Sequence, residues 1–246
     1  MPALEPQMPH STADIVHAAQ WAALRVWVDS VPPAAREQPS VLDRWTVDDL
    51  LSHLARSVDA IAALRPAGSD DPAADPTGSA ATVAADPTLT IAEYLAGFSE
   101  RAEETADTTR RAAAASAADR GGELDAAFAQ AQRTLAALGR SDPLVRARGG
   151  TIRLSDFMET RIVELVVHAG DLHRSLPGLL SPPILPAAVD RVEAVLRQAF
   201  RERAGVLGDD TDVAAMPAGE FIEVASGRVK PPQRLPAAVR CEFPVF

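Results

Sequence analysis

The chain has 246 residues, with 34 acidic against 24 basic side chains and a formal net charge of −10. Such an excess of carboxylate repels phosphate backbones and argues against nucleic acid as a partner. No run of about 18 apolar residues is present to cross a membrane as a helix. Hydrophobic residues make up 47% but aromatics only 4%, and alanine supplies much of the apolar share. That balance favours packed helices over a β-sandwich.

The opening MPALEPQMPHSTAD lacks the basic stretch and apolar core of a secretory leader. The single cysteine, Cys241, has no internal disulfide partner. Both features point to a reducing, cytoplasmic setting. Cys241 stands among Arg240, Glu242 and Phe243 with no catalytic motif around it.

In chain order, residues 1–10 read as a loose tail. Ser11 or Thr12 can cap a first helix running to about Asp29, with Ile15, Ala18, Ala22 and Val26 as its inward stripe. Thr46 and Asp49 form a capping box that opens a second helix, 46–64. Its buried stripe is Val47, Leu50, Leu51, Leu54, Val58 and Ile61. Residues 66–89 are rich in Pro, Asp, Gly and Ser and read as a long flexible loop. Thr90 and Glu93 form another capping box, opening a helix expected to run through about Ala118 with Ile91, Tyr94, Leu95, Phe98 and Ala102 inward. Gly121-Gly122 interrupts, and a lesser helix covers 123–138. Leu144 to Leu154 reads as a short hairpin or extended connector around Gly149-Gly150. Ser155 or Asp156 caps the next long helix, to about residue 175, and a fifth covers roughly 186–203. Phe221 to Ala225 reads as a strand. The expected organisation is a helical bundle over 1–182, built from helices 11–29, 46–64, 90–118 and 155–175, followed by a small α+β segment over 183–246.

Chemistry concentrates in Arg161-Ile-Val-Glu164-Leu-Val-Val-His168. Glu164 and His168 are one helical turn apart, on one face of an otherwise apolar helix. A buried carboxylate needs a partner, and two readings compete: Glu164 pairs with Arg161 and His168 is a core histidine, or the two share a metal ion. His53 lies on the flank of the second helix's stripe, where it is either a half-exposed surface group or a third ligand from a facing helix. Three protein ligands with one open position is the catalytic pattern for zinc. Asp171, three residues after His168, and Arg161, three before Glu164, are the candidates to contact a ligand or line the pocket.

These segments, Trp45-Thr-Val-Asp-Asp-Leu-Leu-Ser-His53 and Arg161 to Asp171, resemble the mycothiol-dependent maleylpyruvate isomerase family within the DinB-like four-helix-bundle metalloproteins. The resemblance spans about residues 11–176. It implies a mainly α, DinB-like bundle in which His53, Glu164 and His168 bind a divalent metal, zinc, with mycothiol as cosubstrate. Members often carry a larger C-terminal α/β domain, of which Phe221 to Arg228 is the one recognisable piece here. The family's isomerase also uses an arginine for the substrate's carboxylates. No motif places it in this chain, and Arg65, Arg101, Arg110 and Arg111 are candidates that read equally as surface charges.

The leading expectation is a metal- and thiol-dependent isomerase or S-transferase acting on a small electrophilic metabolite. The thiol would supply the nucleophile that the chain's own cysteine does not. One alternative is a thiol-independent metalloenzyme that activates water or polarises a carbonyl. The other is a non-catalytic small-molecule-binding bundle with a vestigial metal site.

Overall fold

The computed structural model describes residues 11–68, 87–116, 118–139 and 141–246. The N-terminal tail and most of the long polar loop fall outside the described residues. In chain order the helices are α1 (Thr12–Val28), α2 (Pro33–Arg36), α3 (Val47–Ala62), α4 (Ile91–Glu100), α5 (Ala102–Ser116), α6 (Arg120–Leu138), α7 (Leu154–Ser175), α8 (Pro186–Ala204), α9 (Thr211–Ala214), α10 (Ala218–Ala225) and α11 (Ala237–Arg240). Three short strands, β1 (Arg65–Pro66), β2 (Leu144–Ala147) and β3 (Gly150–Arg153), pair antiparallel in that order.

Local chemistry starts the helices where the sequence places them. At α3 the Thr46 hydroxyl accepts from the Asp49 amide at 3.1 Å, and the Asp49 carboxylate accepts from the Thr46 amide at 2.8 Å. The same reciprocal box opens α1 at Ser11 with Asp14, and α4 at Thr90 with Glu93. Every member of the predicted α3 stripe, from Val47 to Ile61, is buried.

Helices α1, α6, α3 and α7 pack in a closed ring of four. The fourth place therefore falls to α6, expected as a lesser helix. Its start is also earlier than expected. Gly121 and Gly122 lie in its first turn, where Asp119 caps it by accepting from the Gly122 amide at 2.8 Å. The helix expected over 90–118 breaks at Arg101 into α4, which packs on α7 and α8, and α5, which packs on α3. Ala102, expected to face inward, is exposed.

Two further expectations change. The α1 stripe is out of phase: Ile15 and Val26 are 53% and 74% exposed, while Trp21, Leu24 and Trp27 are buried. Alanines on both sides of the helix give little amphipathic contrast, and the large side chains decide the face. Phe221 to Ala225 is helical, as part of α10, and the described residues of the C-terminal segment contain helices without strands. Phe221, Ile222, Val224 and Ala225 are all buried, a spacing that one helix face satisfies and a strand's alternation does not. Phe221 meets Phe200 and Phe243 edge-on, with ring centroids 6.3 and 6.1 Å away.

Candidate metal centre

The site lies where α3 faces α7. His53 comes from the second turn of α3 and Glu164 and His168 from successive turns of α7, which is buried along most of its length. His53 Nε2 lies 3.2 Å from Glu164 Oε2, and His168 Nε2 lies 3.3 Å from the same oxygen. The three donor atoms fall within 4.8 Å of one another. The two imidazoles stand nearly perpendicular, with centroids 4.6 Å apart. For bonds of roughly 2.0–2.2 Å, neighbouring ligand atoms of a tetrahedral ion stand roughly 3.3–3.6 Å apart. The trio therefore has the donor types and nearly the spacing that a divalent ion takes.

The surroundings orient both rings. His168 Nδ1 meets Asp171 Oδ2 at 2.9 Å, and Asp171 in turn accepts from Arg228 Nε and Nη2 at 3.0 and 2.8 Å and from Arg174 Nη2 at 2.7 Å. His53 Nδ1 meets the fully buried Thr109 hydroxyl at 3.4 Å. The edge of Trp45 packs on the His53 ring at 5.2 Å between centroids.

Electrostatics separate the two histidines. Burial, reinforced by the adjacent His168, pushes the His53 pKa down. Burial also opposes a charge on His168, but hydrogen bonds to Asp171 and Glu164 overcome it and carry its pKa up to about 9. Burial would raise the Glu164 carboxyl, yet bonds from His168 and His53 hold it well below the usual carboxylate range. Asp171 follows the same logic: burial raises it, His168 and Arg228 outweigh burial, and its pKa falls.

The trio opens on a cavity of about 940 Å³. Aromatic side chains from Trp45, Tyr94, Phe98, Phe157 and Phe246 line it. Arg161 does not pair with Glu164. Its guanidinium enters the cavity wall and lies over the Phe157 ring at 4.7 Å. Of the four arginines raised from the sequence, Arg65 and Arg101 line the cavity. Arg110 instead pairs with Asp107 on its own helix, and Arg111 donates to the Thr108 hydroxyl at 3.4 Å.

Sequence reasoning missed Thr109, Arg228 and Phe246. Thr109 sits in a polar run with no motif. Arg228 and Phe246 reach the centre from a segment whose placement is a tertiary matter.

Neither the curated proteins nor the solved structures yield a match to this chain. The family described as mycothiol maleylpyruvate isomerase N-terminal domain matches residues 17–173. That stretch contains α3, α7 and all three candidate ligands, and it is well over half of the chain. The chain therefore belongs to the mycothiol maleylpyruvate isomerase N-terminal domain family.

Proposed function

We propose that this protein is a zinc-dependent enzyme that uses mycothiol, as an isomerase or S-transferase, on a small electrophilic metabolite. The observation that carries the reading is the meeting of His53, Glu164 and His168 in the wall of a cavity of about 940 Å³. His53 Nε2, one Glu164 oxygen and His168 Nε2 would hold the ion. Bound there, zinc lowers the pKa of a coordinating thiol so that it acts as thiolate at neutral pH. Asp171 fixes the His168 tautomer through Nδ1, so that Nε2 points its lone pair at the site. The Thr109 hydroxyl, 3.4 Å from His53 Nδ1, helps to orient that ring. The aromatic side chains of the wall present an apolar surface to the electrophile.

The test is to purify wild type and His53→Ala and measure zinc content, helical circular dichroism and mycothiol-dependent turnover of maleylpyruvate and other small electrophiles. Wild type should hold one zinc per chain, and the variant should lose zinc and turnover while keeping its helicity. The large buried core folds the chain without the ion, unlike a zinc finger. Activity retained in zinc-free protein would refute the metal role. Turnover independent of thiol would favour a metalloenzyme acting through water or a polarised carbonyl. Zinc without any turnover would favour a binding protein.

A further inference from the structure

The carboxylate that orients His168 is itself held from outside its helix. Asp171 is fully buried and takes part in four hydrogen bonds: one with His168 Nδ1, one from Arg174 and two from Arg228. Arg228 comes 57 residues later in the chain. Its Nε and Nη2 meet the two oxygens of Asp171, the bidentate arrangement that fixes a carboxylate's plane as well as its position. Arg174, one turn on from Asp171, spans Asp171 and Glu223 of α10 at 2.7 and 2.8 Å. Both arginines lie beyond residue 173, where the family match ends.

The backbone aims Arg228. Helix α10 buries Phe221, Ile222, Val224 and Ala225 in the core. It ends in a left-handed turn at Gly227, whose φ of +72° strains any residue with a Cβ. The Gly227 amide donates to the Val224 carbonyl at 3.1 Å and the Arg228 amide to the Glu223 carbonyl at 2.8 Å. These two bonds form a Schellman cap, which closes the helix and sends the chain back across its end. A Cβ on Gly227 would also stand 3.3 Å from Pro244. Arg228 Nη1 donates to the Ser226 carbonyl at 2.7 Å, so the guanidinium is fixed to its own turn as well as to Asp171.

We infer that Arg228 is a positioning residue for the metal centre, and that docking of residues 218–228 and loading of the trio stabilise each other. The inference rests on the trio's proposed role as a metal site and not on the thiol chemistry. An ion on His168 Nε2 requires one tautomer and one orientation of the ring, with Nδ1–H donated to Asp171. Arg228 selects the Asp171 rotamer that accepts it. A docked segment therefore raises the affinity for the ion, and by the same factor a bound ion tightens the docking. Loss of Arg228 would also leave Asp171 a stronger acceptor for His168. Orientation outweighs this, because a buried carboxylate left with Arg174 alone can follow that arginine away from the ring.

Chelator competition and amide exchange on the full chain, with and without zinc, test this. In wild type, zinc should slow exchange of the 218–228 amides at least about fivefold more than that of 205–214, which bond neither Asp171 nor the trio. Arg228→Met should bind zinc about 5- to 20-fold more weakly and lose that extra protection. Arg228→Lys, which keeps the charge without the fork, should recover part of the affinity. Gly227→Ala should weaken zinc binding with every ligand and both arginines in place. Arg234→Met, which breaks a surface pair with Glu220 remote from Asp171, should leave the affinity unchanged. Equal zinc affinity in wild type and Arg228→Met, or zinc protection of 218–228 no greater than that of 205–214, overturns the coupling while the metal site stands. If Arg228→Met does not fold, Arg228→Lys and the wild-type exchange decide: full affinity in the one or uniform protection in the other overturns it. A wild-type chain that binds no zinc overturns the metal reading and this inference together.

Discussion

Asp171 illustrates how a single buried side chain can tie the centre together. It faces His168 on one oxygen and receives Arg228 and Arg174, and its side chain is fully buried. Asp171→Ala should weaken zinc binding by about 10- to 100-fold, since it frees the His168 ring to rotate. It should also cost on the order of 3 kcal/mol in urea unfolding, because Arg228 loses its acid and Arg174 keeps only Glu223. Competition with a zinc chelator and a denaturant titration measure the two effects. His17 is a different case. It is 1% exposed, stacks on Phe128, and neither ring nitrogen has a hydrogen-bond partner among the described residues. Burial, and then the Arg161 charge, push its pKa from 6.5 down to about 3. As pH falls below 6.5 the unfolded chain takes up a proton that the folded chain refuses, so stability is lost between pH 6.5 and 3. The slope is about 1.4 kcal/mol per pH unit. His17→Leu, at least as stable at pH 7, should gain about 2 kcal/mol on wild type by pH 5. Parallel unfolding curves at the two values would show it. Equal pH slopes would mean that His17 is not the group responsible.

At the scale of elements, the caps of α3 and α4 and the stripe of α3 could be read because they depend on neighbours three or four residues away. Thr46 with Asp49 and Thr90 with Glu93 are self-contained. The start of α7 is not: the Ser155 amide, read as belonging to a capping residue, is itself capped by Asp142 at 2.8 Å across the hairpin. The expected continuous helix over 90–118 breaks because Tyr94 and Leu95 pack inward on the α7 and α8 side, while α5 turns to lie along α3. Arg120 joins three helices: from α6 it bonds Asp48 of α3 at 2.6 Å and the Ala113 carbonyl of α5 at 2.9 Å, with Glu123 as a third partner. Arg120→Met should cost about 3–5 kcal/mol, because it leaves two acids facing a buried gap without a cation. A loss under 1 kcal/mol in urea would show that the pin is replaceable.

Over the whole molecule, the C-terminal segment bears on the centre rather than trailing from it. Helix α8 buries Val192, Leu196 and Phe200 in the same core cluster that α7 enters with Phe157 and Leu165. Arg228 reaches Asp171, and Phe246 meets Phe98 edge-on at 5.7 Å. A chain ending after Pro182 would expose the α8-facing sides of α4 and α7. It should bind a hydrophobic dye and lose the cooperative melting of the full chain. A truncated chain that melts sharply at the wild-type temperature would mark residues 1–182 as self-sufficient.

Composition, caps and stripes made the helical class and the boundaries of α3 and α8 legible within a residue or two, because capping pairs and apolar spacing are short-range chemistry. Spacing put Glu164 and His168 on one face and left His53 as a surface group or a third ligand; the family resemblance joined the three, and in the fold they meet. The tertiary structure alone decided which face of α1 is buried, that α6 rather than the 90–118 helix closes the four-helix ring, and that residues 221–225 are helical. It also decided that Arg161 lies over Phe157 in the cavity wall while Arg228 holds Asp171. Those outcomes depend on which surfaces meet between elements distant in the chain, 57 residues apart for Arg228 and Asp171. An arginine's role is set by where the nearest acid lies in space, and spacing along the sequence does not carry that distance.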